Sequence, residues 1–421
     1  MRKFFGWWVT IASFFTFGLA VGVPYYNIGF FYDYFQREFG WTRSEITLGF
    51  PLAALITLWV GPLVIHRFSP RKLILIGTAL TAVALLGFGK MGNVLAVYYA
   101  FWVLYTIGYI FSGPIPHQLI VSQWFRRNRG KAMGLLYVGV GLMGSLGSFL
   151  VKPLTENFGF HTTLMILAGL VLLSWPVVLF VVKDKPSDIG QFPDGDSGPP
   201  AEAAIQSRTF RELLSSYPFW LLLIGSFCSI GSIGAINFHM KFVFLDEGYQ
   251  KGAGVDSAWR LASILILWSS IGGRLLIGGL ADRFSKKVVM TVTYFLVAGT
   301  IPLLLLVRPD NEMFLYAFAV MFGFGMGADY MLIPLMAADQ FGVNSLARAM
   351  AVILPVNTIG QTWFPYFVSV LREHFGSYSW AMGSVLAVAL TGALSIALLP
   401  RQSKAVGTPP LASAGGAALK A

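Results

Sequence analysis

The stretch of residues 270–287 reads SIGGRLLIGGLADRFSKK, and the rest of the chain can be interpreted outward from it. Its end, where Asp282 and Arg283 are followed by two lysines, is typical of a turn that leaves a membrane. Arg274 lies eight residues before Asp282 in an apolar run, about 12 Å inside the helix end. Because a hydrocarbon core is about 30 Å thick, this charge would lie near the midplane. A charge at that depth is costly unless it is paired or faces a wet cavity. Arg274 is therefore a candidate binding site for a small anion, with an interhelical salt bridge as the alternative.

The composition excludes a soluble protein. Of the 421 residues, 56% are hydrophobic and 12% are charged, whereas soluble domains carry about 25% charged residues. The formal charge of +11 could suggest a nucleic-acid partner. The basic residues instead collect in alternate loops, as orientation in a membrane requires, so no nucleic acid is expected. One cysteine, and five histidines without ligand spacing, predict no metal site, no other cofactor and no enzymatic activity.

The apolar runs predict an all-α membrane protein with twelve transmembrane helices. The predicted spans cover residues 7–33, 45–67, 72–91, 94–124, 130–154, 160–182, 218–245, 257–283, 287–307, 312–340, 346–371 and 377–400. Basic residues follow the second, fourth, eighth and tenth spans, and the intervening loops are poorer in net positive charge. By the positive-inside rule, both termini are expected in the cytoplasm.

A change of composition divides the spans six and six. Residues 184–217 are polar and rich in Pro and Gly, which predicts a cytoplasmic linker with a short surface helix at 210–214. The linker separates two predicted six-helix bundles, residues 1–183 and 218–400. Residues 401–421 are small and predict a disordered cytoplasmic tail.

The two bundles also repeat each other. The residues around His66 after the second span match those around Asp282 after the eighth span, 216 residues later. Phe125 after the fourth span matches Phe341 after the tenth, again 216 residues later. Two loops that share one offset indicate a duplication. Parallel repeats that flank a midplane site are the architecture of an alternating-access transporter.

The same loops carry a family resemblance. Residues 278–287 fit the pattern Gly-x-x-x-Asp-Arg-x-x-x-Lys and resemble the loop signature of the major facilitator superfamily. The first copy departs from it, with Pro62 and His66 at the positions of the glycine and the acid. The contact that the acid usually makes with a helix dipole is therefore in doubt there. The resemblance implies a conformational gate formed by Gly278, Asp282, Arg283, Arg126 and Arg129.

A second motif resembles one branch of this superfamily. Residues 124–134, WFRRNRGKAMG, are similar to the fifth-span signature of the monocarboxylate transporters and oxalate:formate antiporters. Residues 40–46, GWTRSEI, and 329–335, DYMLIPL, resemble the bacterial members of that branch. The resemblance covers nearly the whole chain. It implies two pseudo-symmetric six-helix bundles and transport of a small carboxylate.

Arg274 stands where this branch keeps its substrate arginine. The physical argument agrees, because a guanidinium matches a carboxylate with two parallel hydrogen bonds and keeps its charge in a protein. Pro24 breaks the first span beside polar groups that could line the site, although Tyr26 could equally belong to an interfacial aromatic belt. His117 follows a break in the fourth span and could bind a carboxylate or simply pack. The candidate substrate-binding residues are Arg274, His117, Tyr25, Tyr26, Asn27, Tyr330, Asn357 and Gln361.

The proton relay of the animal relatives cannot be transferred residue by residue. The animal monocarboxylate transporters that the chain resembles have a lysine at the position of Tyr25 and an aspartate at that of Ser270. A replacement acid is Asp329, near the midplane of the tenth span, because a buried carboxyl group without a cation favours its protonated form. His117 is the second proton-coupling candidate. Asp329 could instead neutralise a basic residue or cap a helix break.

These observations predict a secondary active transporter of small monocarboxylates such as lactate or pyruvate, proton-coupled and monomeric, in the lipid bilayer of a plasma membrane of bacterial type. One alternative is an oxalate:formate exchanger, but the eleventh span has no cation between residues 349 and 370 to balance a second negative charge. The other is a non-transporting membrane sensor, which would require a signalling domain larger than the predicted linker or tail.

Overall fold

The computed structural model describes residues 4–198, 208–250 and 253–400, and its named elements in those ranges are all helical. Ten segments are long and apolar enough to cross a membrane. They are Gly6–Asn27 (span 1), Glu45–Arg67 (span 2), Pro70–Lys90 (span 3), Leu95–Trp124 (span 4), Arg129–Phe180 (spans 5 and 6), Tyr217–Asp246 (span 7), Ser257–Arg283 (span 8), Lys286–Leu304 (span 9), Glu312–Phe341 (span 10) and Tyr378–Ala397 (span 12).

Two observations bring this number to twelve crossings. The segment Arg129–Phe180 has 52 residues, or about 78 Å of helix, which is enough to cross a 30 Å core twice. Gly159, with φ +75°, breaks it into span 5 and span 6. The helix Val343–Phe375 has 33 residues and forms span 11. The predicted fold class, twelve helices in two six-helix bundles, is confirmed.

Several spans are interrupted where the sequence contains helix breakers. In span 1, the π-helical turn Gly18–Gly22 precedes the short helix Val23–Asn27, whose second residue is proline. Span 4 is broken at Gly113 between Leu95–Ser112 and Pro114–Trp124, as the motif SGPIP predicts. Such breaks leave backbone groups that a cavity or a side chain can satisfy. Other short elements are Ile28–Phe31 and Tyr32–Phe39 after span 1, Arg43–Thr47, Gly49–Ile56, Val60–Val64 and Ile65–Arg67 along span 2, and Ser174–Phe180 at the end of span 6.

The linker is partly structured. It contains the 3-10 turns Pro186–Ile189 and Pro193–Gly195 and the helix Phe210–Leu214, which confirms the predicted surface helix. Thr209 and Glu212 open that helix with a reciprocal capping box, which satisfies two of its otherwise unpaired amides. The predicted tail, residues 401–421, lies outside the described residues.

The buried apolar residues form three clusters, and their distribution shows how the two halves meet. One cluster contains Phe125, Phe341 and Leu399 and joins both halves on the side where the described chain begins and ends, here called the termini side. On the opposite side each half has its own cluster, one around Trp102 and the other around Phe318. Among the described residues, the halves therefore share a core on the termini side and have separate cores on the other.

Candidate anion-binding site

Arg274 lies in the middle of the molecule, where span 8 of the second half faces span 5 of the first. Its side chain is 9% exposed, and its Nε donates to the carbonyl of Gly327 on span 10 at 3.3 Å. Nη1 is buried and has no hydrogen-bond partner. A Cβ built on Gly141 would lie 2.1 Å from Nη1, so the guanidinium rests directly against span 5. An unsatisfied charged donor at this depth is costly, and an anion would satisfy it.

Arg274 and Tyr26 separate two cavities between the halves. The first, called the aromatic cavity, is lined by Phe17, Val21, Tyr25, Tyr26, Phe50, Tyr109, Pro114, Tyr137, Val140, Arg274, Tyr330, Leu354, Thr358 and Gln361. The second, called the serine cavity, is lined by Tyr26, Gly141, Ser145, Asn237, Met240, Trp259, Ser263, Ile266, Leu267, Ser270, Arg274 and Met326. Among these lining residues, all within the described part of the chain, Arg274 is the one that carries a charge. The electrostatics of both cavities are therefore set by one cation.

Five of the candidate substrate-binding residues come together here. Arg274, Tyr25, Tyr26, Tyr330 and Gln361 all line the aromatic cavity. The Tyr330 hydroxyl donates to Gln361 Oε1 at 2.7 Å, which ties span 10 to span 11. Tyr26 is 56% exposed, the most open of the five predicted residues.

Three other candidates are buried elsewhere. Asn27 donates from Nδ2 to the carbonyls of Val23 and Gly144, at 2.8 and 3.0 Å, and so ties span 1 to span 5. Asn357 accepts from Ser226 Oγ at 3.1 Å between spans 7 and 11. The structure does not bring these two amides to either cavity. Each forms hydrogen bonds inside its own half, Asn27 in the first and Asn357 in the second.

His117 also lies away from both cavities. It is fully buried, with Nδ1 2.8 Å from the carbonyl of Gly113 and Nε2 2.9 Å from Thr16 Oγ1. Its ring stacks on Phe17 with centroids 5.1 Å apart. Because both nitrogens already have partners, this histidine packs span 4 against span 1 in this structure.

Four aromatic residues of the cavity were absent from the candidates. Its wall is completed from spans 1, 2, 4 and 5 by Phe17, Phe50, Tyr109 and Tyr137. A signal existed for Tyr137, which lies three residues after Gly134 and four before Gly141, hence on the helix face with two close-packing glycines. Its hydroxyl accepts a hydrogen bond from Gln118 Nε2.

Asp329 lies in the interior of the second half, away from both cavities. It is fully buried on span 10, and its Oδ2 accepts from Ser229 Oγ of span 7 at 2.5 Å. Oδ1 is also buried and lies near the buried hydroxyl of Tyr294 on span 9. The carboxyl group is two residues from Gly327, whose carbonyl accepts from Arg274. Asp329 and the candidate anion site are thus connected through span 10.

The predicted gate residues meet on the termini side. Asp282 of span 8 accepts from the backbone N–H groups of Gly130 and Lys131 at 2.5 and 2.9 Å. Gly278 and Gly130 allow this contact, since a Cβ on Gly130 would lie 2.2 Å from the Gly278 carbonyl oxygen. The first turn of span 5 is thereby held by an acid from the other half, where the helix dipole favours a negative charge.

The basic gate residues are placed differently. Arg129 donates from Nε to the carbonyl of Phe125 at 3.0 Å and closes the turn between spans 4 and 5. Arg126 and Arg283 are exposed. The backbone N–H groups of Arg126 and Arg127 donate to Asp194 of the linker at 2.9 and 2.7 Å, a contact that the sequence did not predict.

Within the described residues, no group of three or more His, Cys, Asp or Glu side chains could hold a metal ion. A central cavity between two six-helix halves, with one buried arginine and a contact between spans 5 and 8, defines a multi-pass membrane transporter.

The family model of the Major Facilitator Superfamily matches residues 6–328 and, in a second match, residues 257–421. The chain belongs to this superfamily, whose members transport small substrates and are not enzymes. Monocarboxylate transporter 12-B of Danio rerio is 26% identical over 399 residues, covering 86% of this chain and 80% of that protein. The MFS transporter asaE of Aspergillus flavus is 25% identical over 365 residues, covering 84% and 77%. These findings confirm the resemblance to monocarboxylate transporters.

Solved structures agree on the fold. The fucose:proton symporter FucP of E. coli superposes with a TM-score of 0.71 at 12% identity, covering 95% of this chain and 100% of that one. The human organic anion transporter MFSD10 gives a TM-score of 0.70 at 11% identity, covering 93% and 99%.

Proposed function

We propose that this transporter carries small monocarboxylates, with lactate and pyruvate as the first candidates, together with protons and by alternating access. It acts as a monomer in a plasma membrane of bacterial type, with both termini in the cytoplasm. The termini side is then the cytoplasmic side. The serine cavity is lined by span 8 from Trp259 to Arg274, on the side of Arg274 away from the cytoplasmic end of that span, and so lies toward the outside.

One observation carries the proposal, the unsatisfied guanidinium of Arg274. It is more than nine-tenths buried, has one hydrogen bond, and borders both cavities. A carboxylate is the common small anion that matches its fork, and a charge-assisted pair in this poorly solvating environment is strong. The curated relatives named monocarboxylate transporters support the same substrate class.

The charge balance favours a monocarboxylate over oxalate. Arg274 neutralises one negative charge, and span 11 contributes only Thr358 and Gln361 as polar lining to the aromatic cavity. A dicarboxylate would keep a second charge without a cation in a poor solvent for ions. The oxalate:formate exchanger is therefore the weaker alternative, and oxalate is expected to compete poorly with lactate at pH 7.5.

The distribution of the cores supports alternating access. The halves share an apolar core and the Asp282 contact on the termini side, and have separate cores on the other. A transporter needs a second arrangement in which the closed side opens. Rigid-body rocking of the halves requires only that these contacts break and others form.

The test is uptake into proteoliposomes of labelled lactate, pyruvate, formate and oxalate, with and without an inward proton gradient. The Arg274→Lys variant keeps the charge but loses the two-pronged match to a carboxylate. The loss of a charged hydrogen bond costs about 1.5–3 kcal/mol, so kcat/KM should fall about 10- to 100-fold. Empty liposomes give the background, and the thermal melting of both proteins shows whether the variant folds. A lysine variant with wild-type affinity and rate would remove Arg274 from the substrate site.

A further inference from the structure

The wall of the aromatic cavity is unusual for a site that binds a three-carbon acid. Seven of its fourteen lining residues are aromatic, and one is charged. The aromatic residues are Phe17, Tyr25, Tyr26, Phe50, Tyr109, Tyr137 and Tyr330. A hydroxy acid such as lactate presents one methyl group to such a wall. Most of the apolar surface around it would be left without a partner.

The rings of the wall pack against one another. Tyr25 is at their centre, with ring centroids 5.6 Å from Tyr26, 5.5 Å from Phe50 and 5.5 Å from Tyr109. These residues come from spans 1, 2 and 4, so the wall is built by three helices of the first half. A preformed wall costs little ordering entropy when a ligand binds against it.

Two polar groups of the wall are already used inside the protein. The Tyr330 hydroxyl donates to Gln361 at 2.7 Å, and the Tyr137 hydroxyl accepts from Gln118. Fewer groups therefore remain for the hydroxyl of lactate or the keto group of pyruvate. The lining offers a cation for the carboxylate and mainly apolar ring surface for the rest of the ligand.

The cation and the wall also belong to different halves. Arg274 is in the second half, whereas six of the seven aromatic residues are in the first. Because Arg274 itself lines the aromatic cavity, a ligand whose carboxylate pairs with it can place an apolar body against the wall. Resting on the proposed function, we propose that the preferred substrates are monocarboxylates with a flat aromatic body, and that lactate-sized acids are weaker substrates.

An aromatic wall could also bind a zwitterion with a quaternary ammonium group, since cations bind to ring faces. Such a zwitterion is therefore the alternative substrate. Its positive charge would add to that of Arg274, and the described lining residues of both cavities contain no acid to balance it. The net charge of the site thus favours the aromatic acid.

The experiment compares two substrates that differ only in a phenyl ring, lactate and 3-phenyllactate. Both are supplied in labelled form to proteoliposomes in counterflow without a pH gradient, and empty liposomes correct for passive permeation. Burial of a ring against the wall predicts a KM for 3-phenyllactate at least about ten-fold below that for lactate. Glycine betaine is added as a competitor in a separate arm.

Variants of Tyr109 test the wall itself. Tyr109→Leu removes the ring but keeps an apolar side chain, and should reduce the preference for 3-phenyllactate over lactate about three-fold or more. Tyr109→Phe keeps the ring and should preserve that preference, which also shows that the position tolerates substitution. Equal KM values for the two acids, an unchanged preference in Tyr109→Leu, or stronger competition by glycine betaine than by 3-phenyllactate would overturn the inference. Uptake of neither acid would instead refute the proposed function.

Discussion

Arg274 can reach the centre of the molecule because the facing helix has no side chains in its way. Its guanidinium rests on Gly141, and its backbone carbonyl lies beside Gly134, where a Cβ would be 2.4 Å from the oxygen. The two glycines are seven residues apart and share one face of span 5. They allow a close approach of two helices, as small residues do in membranes. Gly141 also determines where the guanidinium of Arg274 can lie.

Gly141→Ala should therefore damage transport more than the fold. The added methyl group would lie 2.1 Å from Nη1, so the guanidinium must move by an ångström or more, and kcat/KM is expected to fall about ten-fold or more. Gly272→Ala on span 8 is the matched control, because a Cβ there meets nothing within 4 Å. Uptake kinetics and thermal melting are measured for both. Wild-type kinetics in Gly141→Ala would show that the position of the guanidinium is not critical.

The sequence predicts depth in the membrane better than orientation around a helix axis. Arg274 is an isolated charge deep in the membrane, and the energetic cost of placing it there is enough to make it a candidate binding residue. His117 has a similar depth, yet its ring bonds to Thr16 and the carbonyl of Gly113 inside the first half. Asn27 likewise turns to span 5. Which way such a side chain faces depends on packing between helices that are distant in sequence, and one sequence does not contain that information.

At the scale of helices, two carboxylates hold the start of span 5. Asp194 of the linker binds the N–H groups of Arg126 and Arg127, and Asp282 binds those of Gly130 and Lys131. Asp282 binds amides of the first helical turn, where an anion offsets the unpaired N–H groups and the helix dipole, whereas Asp194 holds the loop that leads into the helix. Only the Asp282 contact crosses between the halves.

The matching loop of the first half, after span 2, lacks the acid of the motif and makes different contacts. His66 stands in the place of the acid, and its ring lies edge-on to Phe210 of the linker helix, 5.6 Å between centroids. The start of span 11 is instead bound by the linker, where the N–H of Arg208 donates to Ser345 Oγ at 2.9 Å. The linker thus contacts the residues that lead into span 5 and the start of span 11, which its polar composition alone did not indicate.

This difference predicts unequal effects of two similar substitutions. Asp282→Asn weakens a contact between the halves by about 0.5–2 kcal/mol and should shift the population toward the form that is open on the termini side. Asp194→Asn weakens a contact between the linker and the first half and should lower the melting temperature without that shift. The readout is the rate of thiol labelling of Ser145→Cys, which lines the serine cavity. The native Cys228 is buried and should give a low background.

Labelling should be slower in Asp282→Asn and stay within error in Asp194→Asn, since a shift of 0.5 kcal/mol changes the ratio of the two forms about two-fold. Equal labelling rates in both variants would mean that the Asp282 contact does not hold the halves together.

For the molecule as a whole, twelve crossings and two halves follow from hydropathy and the 216-residue repeat, but the way the halves meet does not. Hydropathy sums over residues and is the same for every arrangement of the same helices. The shared core on the termini side consists of pairs such as Phe125 and Phe341 that only one arrangement brings into one cluster. The structure represents the form that is closed on that side.

Asp329 and Arg274 occupy separate places joined by one helix. The carboxyl group is buried between spans 7, 9 and 10, and the described residues place no basic side chain in hydrogen-bond contact with it. Charging it in place would be costly, so a proton is expected to remain on it until the site gains water or a cation. Any shift of span 10 that changes this environment also moves the Gly327 carbonyl, which holds Arg274. On the proposed function, we expect this connection to couple the proton to the substrate.

Asp329→Asn, which resembles the protonated acid, should therefore uncouple transport without abolishing it. Counterflow exchange of the substrate needs no net proton movement and should continue, whereas accumulation driven by an inward proton gradient should fall to an internal concentration about equal to the external one. Asp339→Asn is the control, because Asp339 is on the same helix but pairs with Lys286 at 3.1 Å. Its gradient-driven accumulation should persist. If Asp329→Asn still concentrates substrate as the wild type does, the carboxyl group has a structural role and the coupling proton binds elsewhere.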